Sequence, residues 1–357
     1  MSKIKKGLLI VFFVIIFAVI AFLSYILINI MPVNKSDKSF KTVVIENGMS
    51  RNEIAEKLED EGIIRNSKIF YYYAKFKKAD NIYAATYKFS PSMKMSKVLD
   101  VLLEGGENTN TLFITFKEGI NMREVAKVIS ENTDNTEDDV YNKLSDSAYL
   151  DSLINKYWFI NEDIKNSDIY YSLEGYLFPE TYNINKDASV EDIFGAMLDQ
   201  MELVLNNYKT DIENSSYSVH DLLTMASIIE SEANEVKSRK DVASVFYNRL
   251  DNGMSLGSDV TTYYGAKIDI GSRDLTISEL NSVNSYNTRS SSMVGKLPVG
   301  PISLPSRSSI EASIYPNSTD YLFFVADKDG KIYLTKTESE HNAIISELQD
   351  KGLWYEW

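Results

Sequence analysis

A long apolar run near the N-terminus constrains what this chain can become more than any other feature. It covers residues 7–28 and contains only two polar side chains, Ser24 and Tyr25. A helix over this run would be about 33 Å long at about 1.5 Å per residue, which matches the roughly 30 Å hydrocarbon core of a bilayer. A cleaved signal peptide is the alternative, but residues 27–31 hold no small residues at cleavage-site spacing. We therefore predict an uncleaved transmembrane helix over residues 7–28, preceded by a tail over residues 1–6.

The charge of the chain is distributed unevenly around this run. Residues 1–41 contain six lysines and one aspartate, a charge of +5, so the other residues must carry −19 to give the net charge of −14. Lysines lie on both sides of the run, so charge alone does not decide whether the part that follows is cytoplasmic or exported. Contacts to phosphates need clustered Lys and Arg, so the acidic composition argues against a nucleic-acid partner.

The chain contains no cysteine and only two histidines, His220 and His341. This excludes disulfides, zinc fingers, iron–sulfur clusters and a thiol nucleophile, and it leaves little for a histidine-based triad or metal site. We therefore expect no metal and no organic cofactor. Chemistry in this chain must rest on carboxylates, hydroxyls and amides.

An internal repeat follows the apolar run, because residues 44–55 match residues 115–126 at an offset of 71. Each copy is a short strand, a glycine turn and an amphipathic helix. In the first copy, Ser50 followed by Glu53 predicts a capping box at the start of the helix. A second helix over residues 67–76 and a strand over residues 84–89 complete a strand–helix–helix–strand unit in the first copy. This unit resembles the LysM-like module of cell-wall proteins, and a spacer domain is the alternative. We predict a polar linker over 29–41, the LysM-like module over 42–109, and the second repeat with a connecting lobe over 110–185.

Residues 172–182 combine tyrosine and phenylalanine with acidic and hydroxyl side chains. Aromatic rings that cover the C–H faces of a pyranose, next to groups that bind hydroxyls, are typical of sugar recognition. A buried strand with a glycine turn and a proline stop explains the same residues. The sequence does not decide between the two.

The most informative stretch is a helix predicted from Ser218, followed by a second helix over residues 237–250. Apolar side chains recur along the first helix at helical spacing, and Glu230 adjoins this stripe. A partly desolvated carboxyl has a raised pKa, which a general acid needs at neutral pH. The alternative is a glutamate on a solvated flank beside Glu232.

Residues 225–232 and 242–250 closely resemble the endolytic murein transglycosylase family. Further matches in the family's order occur at residues 172–182, 254–259, 286–288, 298–302, 320–327 and 340–342. The resemblance implies a membrane anchor, a LysM-like subdomain, and an enzyme that cuts nascent peptidoglycan strands outside the membrane. The family's catalytic glutamate corresponds to Glu230.

The resemblance also implies roles for other residues. Glu230 would act first as acid and then as base, without water, and would leave a 1,6-anhydromuramic acid end. The candidates for substrate binding are Glu232 and Asp259 as secondary carboxylates and Tyr286, Asn287 and Thr288 as cleft residues. A surface carboxylate or a structural turn is the alternative for each.

The chain departs from the family's motifs at three loop positions. Val260 replaces a proline, Arg289 replaces a tyrosine, and Lys296 lies in a loosened glycine–proline motif. These changes fall in loops that the resemblance places near substrate, so they bear on subsite details and on the level of activity. They leave Glu230 and its helix intact.

We therefore predict an α+β protein with one N-terminal transmembrane helix, a LysM-like module and a catalytic domain over residues 186–357. It would be a single-pass cell-membrane protein with a cytoplasmic N-terminus and an extracytoplasmic catalytic part. Its expected partners are peptidoglycan strands, the membrane and, as candidates, peptidoglycan synthases. Two other functions stay open: a non-catalytic peptidoglycan-binding scaffold of the elongation machinery, and a muramidase that uses water.

Overall fold

The computed structural model describes residues 3–46, 49–79, 82, 85–105, 111–233 and 235–354. The chain folds into two compact units, Met1–Thr111 and Leu112–Trp357. Helices and short strands are mixed in both units, so the predicted α+β class is confirmed.

The first unit begins with helix α1, Lys3–Asn29. Its segment Phe12–Asn29 has a mean hydropathy of 2.7 and is not buried by the protein. Among the described residues, α1 is the one helix long and apolar enough to cross a membrane. The helix predicted over residues 7–28 therefore forms, and it extends past the apolar run at both ends.

The segment after α1 is held by the rest of its unit. Arg65 donates from Nη2 to the carbonyl oxygens of Pro32 and Val33, at 2.7 Å each. The backbone N–H of Met95 donates to the carbonyl of Ile30 at 3.2 Å. The predicted polar linker is therefore fixed to the module by backbone carbonyls rather than left as a free tether.

The module contains β1 (Lys41–Ile45), α2 (Arg51–Asp60), α3 (Ser67–Phe76), β2 (Ala85–Phe89) and α4 (Met95–Glu104). The strands β1 and β2 pair antiparallel, with Lys41 opposite Phe89. Ser50 and Glu53 form the predicted capping box at the start of α2, which satisfies two backbone N–H groups. The predicted order of strand, two helices and strand is therefore present. The glycine turn of this copy, residues 47–48, and the predicted strand start at Ala84 lie outside the described residues.

The second unit is mostly helical. Its strands are β3 (Thr111–Thr115), β4 (Thr181–Asn185), β5 (Phe323–Ala326) and β6 (Ile332–Thr335); β3 pairs with β4, and β5 pairs antiparallel with β6. Its helices are α5 (Met122–Asn132), α6 (Glu137–Leu144), α7 (Ser147–Lys156), α8 (Val190–Leu205), α9 (Lys209–Glu213), α10 (Val219–Glu232), α11 (Arg239–Asp251), α12 (Asp259–Gly265), α13 (Ile277–Leu280), α14 (Arg307–Ile314) and α15 (Glu338–Asp350).

One core joins residues on both sides of the predicted boundary at residue 185. Phe116, Ile129, Phe194, Leu223 and Leu304 are all buried in it. The segments predicted as 110–185 and 186–357 therefore fold around common apolar side chains, and residue 185 is simply the last residue of β4.

Helix α10 lies between two apolar clusters of this unit. Leu223 and Ala226 belong to the cluster formed with α5 and α8, whereas Met225, Ile228 and Ile229 belong to a second cluster formed with α11 and α12. The prediction of one buried stripe was therefore too narrow. Burial on both sides fixes the last turn of α10, which carries Glu230.

Candidate active site

Glu230 lies in the last turn of α10, and its side chain is only 6% exposed. Its Oε1 accepts a hydrogen bond from Arg239 Nη2 at 2.9 Å, and its Oε2 accepts one from the backbone N–H of Ser306 at 2.9 Å. Each carboxylate oxygen can accept two hydrogen bonds. Both oxygens are therefore oriented by the protein and each keeps capacity for one further partner.

Arg239 begins α11 and connects three elements around this carboxylate. Its Nε donates to the carbonyl of Ala233 at 3.3 Å, and its Nη1 donates to the hydroxyl oxygens of Ser306 and Ser308. A buried ion pair needs such additional hydrogen bonds to offset the cost of removing two charges from water. The arrangement therefore fixes the end of α10 to the starts of α11 and α14.

A turn at residues 117–119 contacts Glu230 from the side of β3. Gly119 has a φ of +79°, and a Cβ added there would lie 3.8 Å from Glu230 Cγ. The N–H of Gly119 donates to the Leu304 carbonyl, and the N–H of Leu304 donates to the Ile120 carbonyl, each at 2.8 Å. The turn is thus anchored beside the carboxylate by two backbone hydrogen bonds.

Glu118, in the same turn, has an exposed side chain. Partial burial raises the pKa of its carboxyl, and the negative charge of Glu230 raises it further, whereas Arg239 lowers it. Glu118 and Glu230 therefore lie within electrostatic reach of each other.

Two grooves border this turn, one at Gly119 and the other at Glu118. One is lined by Gly119, Asn121, Arg123, Ser231, Tyr264 and Ser303. The other is lined by Thr115, Lys117, Glu118, Phe178, Glu180 and Arg307. The turn beside Glu230 is therefore a point where an extended ligand could pass from one groove to the other.

The two predicted secondary carboxylates lie on either side of Ser258: Glu232 ends α10 and Asp259 begins α12. The Glu232 carboxyl accepts a hydrogen bond from Ser258 Oγ at 2.6 Å, and burial raises its pKa. Asp259 is half-exposed and pairs with the guanidinium of Arg289. The unusual Arg289 therefore neutralises Asp259, while Val260 packs into the apolar cluster of α11 and α12.

Tyr286, Asn287 and Thr288 are fully buried. Thr288 Oγ1 accepts a hydrogen bond from the N–H of Ser258 at 3.0 Å, and Asn287 Oδ1 accepts one from Thr262 Oγ1 at 2.8 Å. This geometry favours the structural alternative for all three side chains. They support the segment that carries Asp259 and do not face either groove.

Residues 172–182 also lie largely in the interior. Glu174 is 1% exposed, and its Oε2 accepts hydrogen bonds from the N–H of Met122 and from Tyr264 OH, at 2.9 Å each. Burial raises the pKa of Glu174 to about 8. The core interpretation of this motif therefore fits the structure, and Glu174 links the start of α5 to the end of α12 behind the first groove.

A family model described as the YceG-like family matches residues 43–347. This chain belongs to the YceG-like family. Two relatives are named endolytic murein transglycosylase. The protein from Bacillus subtilis (strain 168) is 38% identical over 317 residues, which cover 87% of this chain and 85% of that protein. The protein from Streptococcus pneumoniae (strain R6) is 32% identical over 340 residues, which cover 90% of this chain and 61% of that protein.

The crystal structure of a YceG-like protein from Listeria monocytogenes is similar to this chain, with a TM-score of 0.61 and 35% sequence identity. The match covers 86% of this chain and 99% of the other. The family predicted from the sequence motifs is therefore confirmed.

Sequence reasoning did not find several groups around Glu230 in this YceG-like chain. Arg239 is nine residues away, in the next helix, and Ser306 is 76 residues away, so only folding brings the three together. Glu118 belongs to the second copy of the repeat, where the sequence pattern indicates only a glycine turn. Within the described residues, no group of three or more Asp, Glu or His side chains is arranged to hold a metal ion.

Proposed function

We propose that this YceG-like chain is an endolytic lytic transglycosylase that cleaves the β-1,4 bond between N-acetylmuramic acid and N-acetylglucosamine in nascent peptidoglycan. The observation that carries the proposal is Glu230, a carboxyl held by Arg239 and Ser306 beside the turn whose residues Glu118 and Gly119 each line a groove. The activity named for the relatives supports the same reaction class.

Glu230 acts twice in the proposed reaction. In its protonated form it gives its proton to the glycosidic oxygen, and the bond from that oxygen to C1 of the muramoyl sugar breaks. The Glu230 carboxylate then takes the proton of the C6 hydroxyl as that oxygen bonds to C1. The product is a 1,6-anhydromuramic acid end, the glutamate is again protonated, and no water is consumed.

Arg239 and Ser306 orient Glu230 for both steps. Their hydrogen bonds to different oxygens prevent rotation of the carboxyl group, and the remaining acceptor positions can meet the substrate. Precise orientation of this kind lowers the entropic cost of reaching the transition state. Arg239 is a positioning residue, because it acts through Glu230.

The segment around Ser258 and Asp259 forms the proposed substrate-binding edge of the site. Asp259 is half-exposed and can bind sugar hydroxyls, and Glu232 orients the neighbouring Ser258. Tyr286, Asn287 and Thr288 contribute by holding this segment in place from beneath.

We also propose that α1 anchors the chain in the cell membrane, with the N-terminal tail in the cytoplasm and the rest outside. The apolar helix supports the anchor, and the peptidoglycan substrate requires an extracytoplasmic catalytic unit. The strand–helix–helix–strand module would act as a LysM-like glycan-binding unit. Cleavage near the membrane would terminate strands or set their length, next to the synthases that make them.

Mass spectrometry of the products tests the reaction directly. The full chain in detergent, incubated with purified glycan strands, should release muropeptides that end in 1,6-anhydromuramic acid. Products heavier by one water would identify a muramidase. Retention of intact strands on the protein without any product would identify the scaffold alternative.

Labelling of a single cysteine tests the orientation. Because the natural chain has no cysteine, Lys237→Cys, at an exposed position, provides a unique thiol. A maleimide that cannot cross membranes should label this variant in intact cells after removal of the wall. Labelling that occurs only after the membrane is permeabilised would contradict an extracytoplasmic catalytic unit.

A further inference from the structure

We infer that Glu118 is a second catalytic carboxylate, which faces the muramoyl ring and stabilises the positive charge that develops at C1 during bond cleavage. The inference rests on the proposed function and adds a residue to it. Neither the sequence motifs nor the names of the relatives assign a role to Glu118.

The position of the Glu118 turn favours a role in the site. The hydrogen bonds of Gly119 and Ile120 with Leu304 fix this turn beside Glu230. Gly119 lines one groove and Glu118 lines the other, so the turn lies where a bound glycan strand would cross. Glu118 therefore lies at the border between the two grooves, next to the glycine that approaches Glu230.

Glu118 has no structural task in the part of the chain that the structure describes. The other carboxylates near the site are engaged: Glu230 with Arg239, Glu232 with Ser258, and Asp259 with Arg289. For Glu118, no hydrogen bond or ion pair to a described residue is found, and its side chain is exposed. Its carboxylate is therefore available to a ligand.

The Glu118 carboxylate has an unfavourable electrostatic environment. Glu118 lies close enough to Glu230 for their charges to repel, and Glu180 adds to the repulsion while Arg239 reduces it. Two further charged side chains, Lys117 and Arg307, line the same groove. Partial burial and the neighbouring carboxylate disfavour the ionised form of Glu118, and a role in catalysis would explain why a carboxylate is present at this position.

The chemistry of glycosidic bond cleavage explains why a carboxylate would be useful at this position. Cleavage of a glycosidic bond passes through a transition state with positive charge spread over C1 and the ring oxygen, and glycosidases usually flank it with two carboxylates. Glu230 supplies the proton and later accepts one. Glu118 would remain ionised and would exchange no proton with the substrate, so the atom balance of the proposed reaction is unchanged.

The test compares Glu118→Gln, Glu118→Asp and the wild type as full chains in detergent, with Glu131→Gln as control. Glu131 is an exposed glutamate of α5 in the same unit. Glu118→Gln should lower kcat by roughly tenfold or more with little change in KM. Its melting temperature should stay the same or rise, because the repulsion is removed. Glu118→Asp should keep part of the activity, and Glu131→Gln should behave as the wild type.

The pH profile provides an independent readout. Because burial raises the pKa of Glu118, wild-type kcat should fall as the pH decreases through this raised pKa and Glu118 becomes protonated. The part of this decrease in kcat that is caused by protonation of Glu118 should be missing in Glu118→Gln.

Three outcomes would overturn the inference. The first is an unchanged kcat in Glu118→Gln. The second is a melting temperature of this variant low enough to explain its loss of activity by unfolding. The third is a decrease of its kcat at low pH that is identical to that of the wild type. If the wild type itself forms no anhydro product, the proposed function fails; if only Glu118→Gln behaves as the wild type, this inference alone fails.

Discussion

Arg239 Nη2 lies 2.9 Å from Glu230 Oε1, and each of the two side chains is only 6% exposed. The pair connects the end of α10 to the start of α11. Its hydrogen bonds with Ser306 and Ser308 also connect it to the start of α14. In so buried a pair, loss of one partner leaves the other charge without compensation. Stability and catalysis are therefore coupled at this point of the fold.

Replacement of Arg239 should reveal that coupling. Arg239→Met should reduce the free energy of unfolding by about 3–5 kcal/mol, because Glu230 would be left as a buried, uncompensated charge. The double variant Glu230→Gln/Arg239→Met should be destabilised much less than the sum of the single variants. Chemical denaturation of all four proteins measures this, and strictly additive effects would contradict a buried ionised pair.

The buried Glu174 should make stability depend on pH. Its folded-state pKa of about 8 is above its ordinary value of 4.5, so the folded protein binds a proton that the unfolded chain releases between these values. Its contribution to stability is therefore fully present below about pH 4.5 and is lost as the pH rises towards 8.

Comparison with Glu174→Gln isolates this effect. The free energy of unfolding of the wild type, relative to the variant, should decrease by up to about 1.4 kcal/mol per pH unit through this window. Denaturation of both proteins at several pH values checks it. Parallel pH profiles would show that Glu174 does not titrate differently in the folded and unfolded states.

Gly175 should tolerate no side chain. It has a φ of +75°, and an added Cβ would lie 2.3 Å from Pro301 Cβ, which is closer than atoms can pack. Gly175→Ala should therefore cost about 3 kcal/mol through backbone strain and overpacking together. Gly253→Ala is the matched control, since Gly253 also has a positive φ of +62° but has open space around it; it should cost about 1 kcal/mol. Equal melting temperatures for the two variants would contradict the close contact with Pro301.

Local signals predicted the elements of this fold well. The apolar run indicated α1, the capping box at Ser50 marked the start of α2, and Ser218 marked the start of α10. These features depend on residues within a few positions of one another, so the sequence contains them directly. The start of α11 was predicted two residues early, because a short 3-10 turn at Val236–Ser238 precedes it.

The surroundings of Glu230 could not be predicted in the same way. Ser306 donates a hydrogen bond to Glu230 although 76 residues separate them along the chain. No periodic pattern in the sequence predicts such a pairing. Likewise, a motif shows that Tyr286 and Asn287 occur together but not whether they face a groove or the interior. Tyr286 is buried because it packs in the apolar cluster formed with α11 and α12, and the motif does not reveal that packing.

The central claim is that Glu230 carries the reaction, and one substitution tests it most directly. Glu230→Gln keeps the shape of the side chain and its acceptor oxygen but cannot exchange a proton. Glu311→Gln is the matched control, because Glu311 pairs with Lys240, the neighbour of Arg239, at 2.7 Å. Release of 1,6-anhydromuropeptides from purified peptidoglycan should be abolished in folded Glu230→Gln and retained in Glu311→Gln. Anhydro product from Glu230→Gln at the wild-type rate would contradict the account.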